Sequence, residues 1–128
     1  MSDIQVIHSD DAPKAVGPYS QAMIHGGVLY TSGQIGLIPE KGELVDDSVE
    51  LQAEQVMRNL SAVLNAAGAS ISDIIKANIY LIDMVDFPKV NAIYAAWLGE
   101  HRPARATVAV AQLPLGAKIE IDLIASIS

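Results

Sequence analysis

The chain has 128 residues, 51% of them hydrophobic, a formal net charge of -7 and a pI near 4.7. Its length suits one domain with a real core. Its acid excess and eight scattered Lys and Arg residues disfavour nucleic-acid phosphates. With no cysteine, disulfides, thiolate nucleophiles and Cys-ligated metals are excluded, and no apolar run is long enough to span a membrane.

Mean hydropathy of +0.31 is high for a chain this small. The surplus apolar surface is expected in a subunit interface, with a compact Ala-rich monomer as the alternative. No repeat, low-complexity tract or linker interrupts the sequence, so residues 1–128 are read as a single domain. The opening Met1-Ser2-Asp3-Ile4-Gln5 carries no secretion signal, which makes the cytoplasm the default compartment.

Residues 4 to 8 form a candidate first strand. Pro13 and Pro18 make Asp10 to Pro18 a loop. Ser20 to Ile24 and Val28 to Ser32 flank Gly26-Gly27, a pair suited to a tight primed turn, and so predict a hairpin. Gly33, Gly36, Pro39 and Gly42 mark the next stretch as a loop.

The first helix is expected behind a capping box at Asp47-Ser48-Val49-Glu50, with Asp at the cap. Ala53, Val56, Met57, Leu60, Val63, Leu64 and Ala67 form one apolar stripe, and Gly68 follows as the left-handed terminator. Ile74 to Ile82 is a strand. Asp86 and Pro88 begin a second helix whose core stripe is Val90, Ile93, Tyr94 and Trp97, ended by Gly99. Ala104 to Ala111 and Lys118 to Ala125 are the last strands, joined by a Pro114-Leu115-Gly116 turn. The expected order is β-β-β-α-β-α-β-β.

Strand alternation puts Ile119, Ile121 and Leu123 on one face and Glu120 and Asp122 on the other. It likewise separates Val108 and Val110 from Arg105, Thr107, Ala109 and Ala111. If both aliphatic sets cover the helices, the opposite face carries Arg105, Thr107 and Glu120 among small alanines. A planar guanidinium can hold a carboxylate with two parallel hydrogen bonds, and a glutamate can position water or move a proton. From spacing alone, the commoner explanation is an exposed Arg–Glu salt bridge of little energetic weight.

Other candidates are weaker alone. Gly17-Pro18-Tyr19-Ser20 also suits an ordinary turn. Ser32 and Gly33 could meet a ligand or simply begin a loop. Asn91, a poor helix former, either supports a site or faces water. His8, His25 and His101 lack metal-ligand spacing, so no metal is assigned. Gly26-Gly27 lacks the rest of a dinucleotide fingerprint, and Ser32 lacks a nucleophile-elbow context.

Five segments in order resemble the reactive intermediate deaminase family, also called RidA or YjgF. They are Ala15-Val16-Gly17-Pro18-Tyr19-Ser20-Gln21, Thr31-Ser32-Gly33-Gln34-Ile35, Val90-Asn91-Ala92-Ile93-Tyr94, Pro103-Ala104-Arg105-Ala106-Thr107-Val108 and Lys118-Ile119-Glu120-Ile121. The resemblance implies a chorismate-mutase-like α+β fold of the bacillus type, a mixed β-sheet with two helices packed on one face. It also implies a homotrimer with intersubunit clefts.

The implied activity is hydrolysis of small imino or enamino acids, such as 2-aminoacrylate, 2-iminopropanoate and 2-iminobutanoate, to 2-keto acids and ammonia, without metal or organic cofactor. This would serve metabolite detoxification. The alternatives are a non-catalytic ligand-binding or regulatory trimer and a deaminase of an aminomuconate-type intermediate. Low basicity argues against the ribonuclease activity reported for some relatives.

Carried over by position, Arg105 would bind the substrate carboxylate and Glu120 would place water or transfer a proton. Tyr19 would line the pocket and take part in catalysis. Ser32, Gly33 and Asn91 would border the substrate. Thr107 stands where the family often has Cys, so its role would be to shape the pocket. The run Glu100-His101-Arg102 is shorter than in enteric members and bears on substrate range.

Overall fold

In the computed structural model, which describes residues 3–128, alternating apolar residues build one six-stranded sheet. In chain order the strands are β1 (Gln5–Ile7), β2 (Ala22–His25), β3 (Val28–Thr31), β4 (Leu37–Ile38), β5 (Glu43–Leu44), β6 (Ile74–Leu81), β7 (Ala104–Ala109) and β8 (Ile119–Ser126). The helices are α1 (Val49–Ala66) and α2 (Phe87–Leu98). The large sheet runs β1-β2-β3-β8-β6-β7. Only the β6–β7 pairing is parallel, with α2 as the crossover between these two strands.

Gly26 and Gly27, both at positive φ, turn β2 into β3 as the sequence predicts. The stretch expected to be wholly loop instead contains a small hairpin, β4 paired with β5. Its glycines and proline punctuate the strands: Gly42 takes the left-handed turn position at φ 68°.

Helix α1 begins one residue later than the capping box predicts. Ser48, not Asp47, is the cap, and its hydroxyl accepts from Leu51 N at 3.2 Å. Val56, Met57, Leu60, Val63 and Leu64 are fully buried. Each contributes roughly 2 kcal/mol through the surface it removes from water. Trp97 of α2 donates its indole N–H to Glu54 of α1 at 3.1 Å, tying the two helices together. Asp86 precedes α2 without a side-chain cap bond, while Asp83 caps the short turn before it.

Both helices pack on the sheet face formed by Leu29, Ala77, Ile79, Leu81, Ile119, Ile121 and Leu123, giving the α+β arrangement expected. The other face has no helix. Val6 is 59% exposed there, Tyr30 49% and Val108 48%, so apolar and aromatic groups meet solvent on a sheet face. At its centre Asp122 accepts from Asn78 at 2.8 Å and from Tyr80 at 3.0 Å. Among the described residues, no helix is long and apolar enough to cross a membrane.

Candidate active site

Of the residues singled out in the sequence, Tyr19, Gly33 and Glu120 line one cleft and Asn91 and Arg105 a second, while Ser32 and Thr107 line neither. The first lies where the loops after β3 and before β8 meet, and Tyr19, Gly33, Leu115 and Glu120 line a volume of 510 Å³. Backbone bonds between Gln34 and Ile121, at 2.9 and 3.1 Å, carry the chain beyond β3 alongside β8. This brings Gly33 against the Glu120 side chain, whose carboxyl occupies the space that a Cβ on Gly33 would need.

Burial, and then the neighbouring Asp122 carboxylate, raises the pKa of Glu120 above the ordinary carboxylate value. Ser32 donates its hydroxyl to Ser20 O at 2.6 Å, and its N–H to Gln21 O at 2.9 Å. It thereby anchors the segment carrying Tyr19, which is 52% exposed.

The second cleft, of 440 Å³, is bordered by Asn91, Tyr94, Arg102 and Arg105. Arg105 Nη1 donates to Asn91 Oδ1 at 2.6 Å. The guanidinium lies 5.1 Å from the Phe87 ring centroid and 5.3 Å from that of Tyr94, within cation–π range. Asn91 therefore faces neither the core nor open water; it aims the arginine. The Tyr94 hydroxyl is buried without a partner, as is that of Thr107. Burial raises the Tyr94 pKa, opposed by Arg105 and Arg102.

One expectation is overturned. Arg105 and Thr107 do not share a sheet face with Glu120. In the parallel register Arg105 lies beside Ala77 and Thr107 beside Ile79, residues whose side chains are buried under the helices. Glu120 lies beside Tyr80 on the helix-free face. Alternation shows which residues share a face, but not which face is covered. Here Val108 faces the helix-free side, which carries exposed apolar groups beside the polar cluster of Asp122. An intrachain Arg105–Glu120 salt bridge is also absent; among the described residues no Lys or Arg pairs with a carboxylate, and His8 and Asp10 share a side-chain hydrogen bond at 2.9 Å.

Three buried amides to which the sequence assigns no role hold the segments around the first cleft. Gln21 accepts from Ser9 N at 2.6 Å and donates to Pro13 O at 2.8 Å. Asn59 donates to Leu37 O at 2.9 Å. Gln52 donates to Asp46 O and accepts from Lys118 N, each at 2.8 Å. Their sequence signal is a polar residue interrupting an otherwise buried face, as Gln52 and Asn59 interrupt that of α1. Nor does the sequence mark Phe87 as a stacking partner of Arg105.

The fold and its two clefts define a small α+β protein with a guanidinium set in one cleft and a half-buried carboxyl in the other. Residues 9–127 match the family model described as Endoribonuclease L-PSP. The chain is 47% identical over 121 residues to a RutC family protein of Pyrococcus horikoshii, covering 94% of this chain and 96% of that one. It is 44% identical over 121 residues to a 2-iminobutanoate/2-iminopropanoate deaminase of Mus musculus, covering 94% and 90%. The solved structure of RidA from an Antarctic Psychrobacter matches with a TM-score of 0.92 at 47% identity, over 96% of this chain and 99% of that one. The chain belongs to this endoribonuclease L-PSP family, the RidA/YjgF family that its motifs resemble.

Proposed function

We propose that the protein hydrolyses 2-imino acids, and the enamines that tautomerise to them, to 2-keto acids and ammonia. The observation that carries this reading is the separation of its two chemical groups. Arg105 is oriented by Asn91 and two aromatic rings, while Glu120 is half-buried in a cleft with Tyr19. The pair suits a substrate with a carboxylate at one end and a carbon–nitrogen bond at the other.

The chemistry asks for little more. An imine carbon is already electrophilic, so fixing the carboxylate and placing a water supplies most of what is needed. Glu120 in its ionised form takes a proton from the water as oxygen bonds to the imine carbon, and passes it to nitrogen to give a carbinolamine. It then takes the hydroxyl proton as the carbonyl forms and delivers it to nitrogen as the carbon–nitrogen bond breaks, so that the keto acid and ammonia leave and the carboxylate is restored. A carboxyl with a raised pKa is better suited to both halves of this exchange than an ordinary one.

Because Arg105 and Glu120 face opposite sides of one sheet, the complete site is proposed to form between subunits of a homotrimer. Arg105 of one protomer would face Glu120 and Tyr19 of the next. The exposed helix-free face supports such assembly.

The test is keto-acid release from imines generated in situ by an amino-acid oxidase. The wild-type protein is expected to accelerate release, and Arg105→Ala to lose at least about a hundredfold in kcat/KM while keeping its fold. An Arg105→Ala variant of normal activity would end the role assigned to it.

A further inference from the structure

Leu115 is the only non-glycine residue at positive φ among the described residues, with φ 58° and ψ 22°. This left-handed conformation crowds the Cβ of an L residue and is ordinarily taken by glycine or asparagine. Gly116 beside it is also left-handed, at φ 72°. Leu115 gains no core burial in exchange, since it is 69% exposed. A strained and solvated leucine serves neither the turn nor the core.

Its position supplies a reason. Leu115 lines the 510 Å³ cleft that holds Glu120, as do Val16, at 85% exposure, Leu37 and Tyr19. Two of the most exposed large aliphatic side chains among the described residues therefore border one cleft, alongside the carboxyl proposed to move the proton. An exposed apolar group in a cleft beside a reacting group is placed to bury a ligand's apolar part.

We propose that Leu115, with Val16, forms a subsite for the substrate side chain, and that the site prefers imines with large aliphatic or aromatic side chains over the methyl-bearing 2-iminopropanoate. This rests on reading the Glu120 cleft as the place of imine hydrolysis. Backbone strain at Leu115 is retained because the left-handed turn presents its side chain to the cleft.

The experiment compares the wild-type protein with Leu115→Asn and Leu115→Gly on imines made in situ from leucine, phenylalanine and alanine. Wild type should favour the leucine and phenylalanine imines. In both variants the ratio of kcat/KM for the leucine imine to that for the alanine imine should fall roughly tenfold. Leu115→Asn should also raise the melting temperature, because the new side chain tolerates the left-handed region. An unchanged ratio, or an equal loss on all three imines, would overturn the proposal. So would a change in oligomeric state, which would make Leu115 a subunit contact. A wild-type protein that turns over none of the imines would instead remove the underlying functional reading, and the inference with it.

Discussion

The Glu120 carboxyl is placed as much by an absent atom as by those present. Gly33 has no Cβ, and one built there would come within 2.7 Å of the Glu120 carboxyl carbon. The chain can therefore close over the carboxyl and partly desolvate it. Burial first and Asp122 second then raise its pKa. A carboxyl whose pKa rises on folding favours its protonated form in the folded state. Its contribution to stability is present below the unfolded pKa and is lost as pH rises through the folded one. Glu120→Gln removes that loss. The variant should be more stable than wild type at neutral pH, in urea titration, and the advantage should vanish in acid below the ordinary carboxylate range. Activity should fall at least about a hundredfold at every pH. Loss of stability at neutral pH would show that the charged carboxyl is better accommodated than its surroundings indicate.

At the scale of elements, the cleft walls are loops held by buried amides from regular structure. Gln52 is fully buried in α1 and bridges two segments, Asp46 ahead of the helix and Lys118 at the entry to β8, two residues before Glu120. Gly36 packs so closely on its backbone that a Cβ would lie 2.9 Å from Gln52 Cα. Replacing Gln52 with Leu keeps the volume but leaves a part-buried N–H of Lys118 and the carbonyl of Asp46 without their partner. The expected cost is about 1.5 kcal/mol in chemical denaturation. A change within 0.5 kcal/mol would mean that water satisfies both groups.

The helices and the last strands were legible because periodicity and punctuation coincide, as in the stripe from Ala53 to Ala67 closed by Gly68. The β4–β5 hairpin was not, because strands of two residues are too short to show a period. The cap moved from Asp47 to Ser48 because adjacent residues both have capping chemistry and only backbone geometry chooses between them.

At the scale of the whole molecule, the sheet separates Arg105 and Glu120, which the sequence motifs imply belong together. If the site is completed between protomers, two inactive variants should complement. Coexpressed Arg105→Ala and Glu120→Ala chains should recover roughly a quarter of wild-type activity, since random mixing in a symmetric ring restores that share of intact sites. Either variant alone should remain inactive, and no recovery on mixing would place both groups in one subunit.

By itself the sequence determined the two helices and most of the sheet, because these follow from local periodicity, caps and turns, while the α+β class came from the family that its motifs resemble. It also singled out Arg105, Glu120, Tyr19, Gly33 and Asn91, because their motifs stand in family order. Only the tertiary structure decided that Arg105 turns toward α2 while Glu120 faces away from both helices. That choice depends on the parallel register of an edge strand and on which apolar face the helices cover, and alternation along a single strand is silent about both.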